Sequence, residues 1–160
     1  MKHLSERPAG GANALMETYG NMLFRICLVA LGNEADAEDA VQETFLRYMQ
    51  KAPPFESAEH EKAWLIRVAT NRCKDMLRLR RPYVDLDSIQ CYAQDEESGQ
   101  MLSALMTLPE TFRTVLTLHY IEDYRVNEIA EMLGKSASAI KMRLQKGRRL
   151  LEEAYRKENE

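Results

Sequence analysis

Val126-Asn127-Glu128-Ile129-Ala130-Glu131-Met132-Leu133-Gly134-Lys135-Ser136 decides how the C-terminal third of the chain folds. The first eight residues form one short amphipathic helix. Gly134 supplies the left-handed backbone that a tight helix–helix corner needs. Ser136 is placed as the N-cap of a second helix. On that helix Ile140, Leu144 and Leu151 face inward, while Lys141, Arg143, Lys146, Arg148 and Arg149 stay polar. A short helix, a glycine corner and a longer basic helix make a helix-turn-helix, the geometry that seats a recognition helix in a DNA major groove. A plain helical hairpin with a solvated basic face fits the same periodicity. Six bases and no acid between Lys135 and Arg149 favour DNA.

Outward from that segment the chain reads as all-α. Leu15, Tyr19, Met22, Leu23, Ile26 and Ala30 recur at helical spacing, and Gly32-Asn33 ends that helix. Asp36 is the expected N-cap of the next helix, which carries Ala40, Val41, Phe45, Tyr48 and Met49 on one side. Pro53-Pro54 stops it, because neither proline donates a backbone hydrogen bond. A third helix is expected from about Ala58 to Arg80, with Trp64, Leu65, Val68, Ala69, Met76 and Leu77 on its buried side, ended by Arg80-Arg81-Pro82. Residues 82–100 lack a clear period and read as a flexible acidic linker with at most a short helical turn. Periodicity returns at Met101, Leu102, Leu105 and Leu108. Pro109 suits the first turn of a helix carrying Phe112, Val115, Leu116, Leu118 and His119. The expected architecture is two small helical domains, residues 12–81 and 101–157, joined by the linker.

The chain has 160 residues and is 45% apolar and 29% charged, enough for a buried core and too apolar for a disordered tail. No run of apolar residues reaches a bilayer span, and Met1–Pro8 lacks the apolar core of a secretory leader. Cys27, Cys73 and Cys91 are an odd set with no CxxC spacing, so free thiols in a reducing cytoplasm are expected, with no metal and no cofactor. The net charge of −3 hides segregation. Lys62 to Arg81 holds seven bases and one acid, while Glu34 to Glu43 holds five acids and no base. Pro82 to Ala104 holds five acids and no base, and two basic segments separated by an acidic one suggest two anion-binding surfaces with an intervening spacer. Arg67, Asn71, Lys74 and Arg78 recur at i, i+4, i+7 and i+11 and line one helix face, with Trp64 one turn before them. Guanidinium and ammonium groups suit phosphates, Asn suits an adenine edge, and an indole suits stacking. Taken alone, Trp64 fits a core position better.

Three segments together resemble a known family. Asp36-Ala37-Glu38-Asp39-Ala40-Val41-Gln42-Glu43-Thr44-Phe45 resembles the region 2 signature of sigma-70 factors. Ala63-Trp64-Leu65-Ile66-Arg67-Val68-Ala69-Thr70-Asn71-Arg72-Cys73-Lys74-Asp75 resembles that family's promoter-melting and −10 helix. Leu108-Pro109 through Arg149, with Glu128-Ile129-Ala130 and Ile140-Lys141-Met142-Arg143-Leu144, resembles region 4. The short linker leaves no room for a region 3, and nothing before residue 12 looks like region 1. That layout resembles the extracytoplasmic-function (ECF) class.

The resemblance implies a non-catalytic transcription initiation factor that binds core RNA polymerase. It assigns Asp36, Asp39, Gln42, Glu43 and Phe45 to the polymerase β′ clamp helices and the helices before the helix-turn-helix to the β flap. It assigns a loop from Phe55 to Lys62 to a flipped −10 base, and Trp64, Arg67, Asn71, Lys74 and Arg78 to −10 DNA. Ser136, Ser138, Lys141, Arg143, Lys146 and Arg148 would read the −35 element. A cognate anti-sigma factor is implied as a further partner. Two local departures stand out: the −10 loop is acidic (Glu56, Glu59, Glu61), and Gly147 sits inside the recognition helix, where glycine costs about 1 kcal/mol against alanine. Three alternatives remain at this stage. A stand-alone helix-turn-helix regulator explains only the C-terminal segment. A polymerase-bound module without promoter specificity fits the same motifs. A metal enzyme built on Asp36, Glu38, Asp39 and Glu43 lacks any accompanying histidine or further carboxylate set, and no Walker A, GxSxG or HExxH motif is present.

Overall fold

The computed structural model describes residues 12–80 and 83–160. The readings made on Met1–Pro8, on Arg81 and on Pro82 lie outside the described residues. The elements are α1 Ala12–Leu31, α2 Glu34–Lys51, α3 Ala58–Leu79, α4 Leu86–Gln90, α5 Glu96–Met106, α6 Glu110–Leu116, α7 Val126–Leu133 and α8 Ala137–Glu158, with a π-helical turn Thr117–Ile121 continuing α6. No strand occurs among the described residues. Helices α1, α2 and α3 pack on one another, and α8 packs on α5, α6 and α7. The two units also touch, α1 against α6 and α3 against α7.

Helix α1 is long and apolar enough by length and composition to cross a membrane, but Leu15, Leu23 and Ile26 on it are core residues of the first unit. Its neighbours contribute Phe45 and Tyr48 from α2 and Leu65, Ile66, Ala69 and Met76 from α3. Each of the larger of these apolar side chains contributes roughly 1.5–3 kcal/mol when fully buried. A polar link joins all three helices: the Tyr19 and Tyr48 hydroxyls both donate to the Glu61 carboxylate, at 2.7 and 2.6 Å.

The Gly32-Asn33 corner departs from expectation in one respect. Gly32 has φ +87 and ends α1, but Asn33, not Asp36, caps α2. Its Oδ1 accepts from the Asp36 backbone N–H at 2.9 Å while its Nδ2 donates to the Asp36 carboxylate at 2.9 Å. The left-handed glycine leaves the very next residue in extended backbone, where a cap must sit, so Asp36 falls one turn inside the helix. Met49 also departs: it is 47% exposed, off the buried side that Val41, Phe45 and Tyr48 define.

Residues 83–100 are more ordered than a bare tether. The Asp85 N–H donates to the Gly32 carbonyl at 2.8 Å, and Asn33 Nδ2 also donates to the Tyr83 carbonyl at 2.8 Å. Asp85 then caps α4, whose Ile89 is fully buried. Helix α5 starts at Glu96, five residues before the periodicity showed it, because its first turn is polar and capped by Asp95. Pro109 sits at the N-cap of α6, with the helix beginning at Glu110.

Arg113 on α6 is 7% exposed and hydrogen-bonds to backbone carbonyls. Its guanidinium donates to the Val29 carbonyl (2.9 Å), the Ala30 carbonyl (2.6 Å) and the Leu108 carbonyl (2.6 Å). Val29 and Ala30 lie in the last turn of α1, whose final carbonyls have no partner within the helix. Gly147 has a packing reason: a Cβ there would stand 3.3 Å from Leu116 Cδ1 and Cγ, so α8 lies closer to α6 than alanine comfortably permits.

The glycines give a paired prediction. Gly32→Ala forces a left-handed alanine whose Cβ would stand 2.8 Å from Val84 Cγ2, so it lowers stability by about 2 kcal/mol or more. Gly20→Ala, mid-helix with only Met16 Cβ at 3.9 Å, raises stability by about 0.5–1 kcal/mol. Urea midpoints of the two variants check both signs. The tyrosines give a second. Burial and the adjoining Glu61 carboxylate push Tyr19 well above its usual value, and burial with Glu122 pushes Tyr124 up to about 12. Unfolded tyrosines ionise near pH 10. The stability from holding these two neutral is therefore full below about pH 10 and is lost as pH rises from there towards the folded values. Urea midpoints followed from pH 8 upward should fall beyond about pH 10, and less steeply in Tyr19→Phe, which has no proton to lose.

Candidate nucleic-acid and polymerase interfaces

Helix α3 presents Arg67, Asn71 and Arg78 to the surface, with Lys74 half-buried between them. Ser57 caps the helix, and its Oγ accepts from the His60 N–H at 3.1 Å. The four predicted side chains share one face, but their electrostatic situations differ. Arg78 pairs with Asp75 in the same helix. Arg67 is taken up by the other unit: its Nε donates to the Met132 carbonyl at 3.0 Å and its Nη2 to the Glu131 carbonyl, both at the C-terminal end of α7. Asn71 lies fully on the solvent side.

Trp64 stands in an aromatic cluster at the N-terminal end of α3. Its ring centroid is 6.1 Å from Tyr48 and 5.8 Å from Phe55, with His60 edge-on to Phe55 at 5.3 Å. It is half-buried, between the core position and the stacking position that its residue type allowed. Of the loop acids, Glu61 turns inward to Tyr19 and Tyr48, while Glu56 and Glu59 stay exposed.

The helix-turn-helix forms as the sequence predicts. Gly134 has φ +67, and Ser136 caps α8, its Oγ accepting from the Ala139 N–H at 3.1 Å. Ile140, Leu144 and Gly147 are buried against the rest of the unit. The opposite side, at 100° per residue, centres on Met142, Gln145 and Arg149, with Ser138, Lys141 and Lys146 beside them. Met142 is 70% exposed. Two predicted −35 residues flank the buried side instead. Arg143 is half-buried, and Arg148 Nη1 donates to the Tyr120 hydroxyl at 2.8 Å. Lys146 Nζ lies 5.7 Å from the Phe112 ring centroid. Met142, Gln145 and Arg149 are exposed on this face although the predicted set omits them, and the spacing of Ile140, Leu144 and Gly147 is the signal that marks them.

On α2, Asp39 and Gln42 are exposed, and Glu43 is paired with Arg47 at 3.4 Å. Asp36 is committed within the fold, to Asn33 and to Arg80 Nη2 at 2.8 Å. Phe45, placed by the resemblance on the docking surface, is 6% exposed and belongs to the core. The same helical period that buries it exposes Leu46 (54%) and Met49 on the strip of Asp39 and Gln42. Those two apolar side chains were the unpredicted members of that face.

A cavity of about 900 Å³ opens between the two units, lined by Phe24 and Leu28 of α1, Leu102 and Leu105 of α5, and Leu151 and Tyr155 of α8. At its edge Arg25 and Glu122 form a two-pronged ion pair, 2.9 Å on each prong. Among the described residues no three His, Cys, Asp or Glu side chains stand together as a metal site.

Comparison with known proteins places these faces in a family. Sigma-70 region 2 matches residues 15–82, and Sigma-70, region 4 matches residues 98–151. The ECF RNA polymerase sigma factor SigW of Bacillus subtilis is 28% identical over 163 residues, covering 89% of this chain and 87% of SigW. The ECF RNA polymerase sigma factor SigM of the same organism is 28% identical over 155 residues, covering 88% of this chain and 93% of SigM. Among solved structures, CnrH in complex with the cytosolic domain of CnrY superposes with a TM-score of 0.71 at 25% identity, over 94% of this chain and 90% of CnrH. RpoE of Bartonella quintana, in complex with the anti-sigma factor NepR, shares the fold at a TM-score of 0.72 and 20% identity, over 89% of this chain and 94% of that one. With region 2 on α1–α3, region 4 on α5–α8 and a match to both that spans most of its length, the chain belongs to the sigma-70 family, in its ECF class.

Proposed function

We propose that the chain binds core RNA polymerase and directs it to promoters through separate −10 and −35 contacts. The observation that carries this reading is the pair of basic helix faces, one on α3 and one on α8, in two units of a single chain. Asn71, Lys74 and Arg78 would hold the −10 strand, with Arg67 joining them when it is free. The Trp64–Phe55–His60 cluster lies where the resemblance puts the capture of an extruded base, whose unstacking costs a few kcal/mol that stacking must return. On α8, Ser138, Lys141, Lys146 and the exposed Gln145 and Arg149 would meet the −35 major groove, Lys and Arg neutralising phosphates. Asp39, Gln42, Leu46 and Met49 make a mixed strip on α2 suited to the polymerase β′ clamp helices, polar groups orienting and apolar groups anchoring.

This role is performed without catalysis by the chain itself, in the cytoplasm where polymerase and DNA are. A cognate anti-sigma factor is the further partner, by analogy with RpoE of Bartonella quintana, solved in complex with the anti-sigma factor NepR. A stand-alone helix-turn-helix regulator would leave the region 2 half, residues 15–82, without a task.

Run-off transcription with core polymerase and a pool of genomic promoter fragments tests the proposal. Protein-dependent transcripts are expected. Asn71→Ala and Lys141→Ala should each reduce them about tenfold, the loss of one good base or phosphate contact, with affinity for core unchanged. Asp39→Arg with Met49→Asp should instead abolish core binding. Transcripts equally strong without the protein, or no association with core, would overturn the reading.

A further inference from the structure

We propose that the cavity beside Phe24 and Leu28 is a binding site for a single-chain fatty acid, whose carboxylate is held by Arg148 and Tyr120 and whose alkyl chain lies along the walls. The site is separate from the α2, α3 and α8 faces assigned to polymerase and DNA. On α8, Arg148, Leu151, Glu152 and Tyr155 stand at i, i+3, i+4 and i+7, so one strip of that helix borders the cavity. Arg148, expected from the sequence to read the −35 element, belongs to this strip. The remaining walls are hydrocarbon, from Phe24 and Leu28 of α1, Leu102 and Leu105 of α5 and Leu116 of α6. Their volume of about 900 Å³ is near the upper end of the roughly 300–1,000 Å³ of small-molecule sites. A single-ring acid would leave most of it empty, whereas a flexible alkyl chain fills it.

The charges at the border sum to one positive. Arg25 is matched by Glu122, and Glu152 by Arg156. Arg148 is left over: among the described residues its one hydrogen bond goes to the Tyr120 hydroxyl, at 2.8 Å. The Tyr120 oxygen accepts that bond, which leaves its own proton to be donated. A guanidinium with open N–H groups beside a phenol O–H is a receptor for one carboxylate. Polyanions such as nucleotides need more than the single cation available, and sugars need a polar lining that these walls lack. Thr117, which opens the π-helical turn carrying Tyr120, also borders the cavity. It is 1% exposed, and among the described residues its hydroxyl has no partner. Thr44 and Thr70 instead donate to the carbonyl four residues back, each at 2.8 Å. Irregular turns of this π type are frequent at functional sites.

Calorimetric titration of the full-length chain tests the proposal, with octanoate, decanoate and dodecanoate below their micelle concentrations, and with decanol as the uncharged match. One molecule per chain should bind, with affinity rising about fourfold per added methylene. Decanol should bind about tenfold more weakly than decanoate, the worth of a charge-assisted hydrogen bond. Arg148→Gln should erase that difference, weakening decanoate about tenfold and leaving decanol unchanged. Lys157→Gln, the same loss of charge at an exposed position on the same helix, should bind both ligands as the wild type does. Leu102→Trp, which fills the cavity, should abolish binding of both, with its urea midpoint reporting that it folds. Affinity that ignores chain length, or that falls equally in Lys157→Gln and Arg148→Gln, marks adsorption to the surface and overturns the proposal. Equal affinity of the wild type for decanol and decanoate overturns it too. No saturable binding by any chain length also overturns it, and sedimentation as a dimer in that case gives the cavity to a second copy.

Discussion

The Arg113 guanidinium is buried between the last turn of α1 and the loop that begins α6, and it faces only carbonyl oxygens. A cation taken out of water costs several kcal/mol unless its donors are all used. Burial here works against the charged form, and the nearby Glu110 charge offsets it only in part. Three carbonyls with strong partial charge supply the rest. The requirement runs both ways, since the α1 carbonyls would otherwise end a helix unpaired under the second unit. That single site therefore fixes where α6 lies against α1. From that placement follow the line of α8 over Leu116, the cavity beside Phe24 and Leu28, and the approach of α7 to α3.

Charge is distributed to match. The acids of α2 and of residues 85–97 lie on different elements from the bases of α3 and α8. A chain with a net charge of −3 can thus present two positive faces without the whole molecule attracting polyanions. The inward-turned Glu61 takes one of the loop's acids out of that balance. It spends its charge on two tyrosine hydroxyls that tie the start of α3 to α1 and α2, which is why an acidic loop is compatible with a strand-binding surface.

Most of the helical plan was legible because it rests on local rules. Gly32, Pro53-Pro54, Gly134 and Ser136 act through backbone conformation and capping, which depend on a few neighbouring residues. What escaped depends on tertiary placement. Ile89 looks like one apolar residue in a polar tract, and only the crossing of residues 83–85 over the Gly32-Asn33 corner gives it something to pack on. Phe45 and Leu46 are adjacent apolar residues, and which one is buried is set by the phase of α2 against its neighbours. No local pattern marks Arg113 for burial, and Gly147 reads as a helix defect. Arg67 was found as a member of a basic face, but no local pattern announces that the end of a helix sixty residues on will accept its hydrogen bonds.

The attachment of residues 83–85 to the Gly32-Asn33 corner has a bearing on reach. Between the end of α3 and the start of α5 lie residues 80–95. Fully extended, a stretch of that length spans on the order of 50 Å, about one and a half turns of duplex. With Asp85 bonded to Gly32 and α4 wound on Ile89, most of that length is stored. On the proposed reading, how far apart two DNA elements could be served at once would depend on release of Asp85 and unwinding of α4 as well as on the number of residues in the connection.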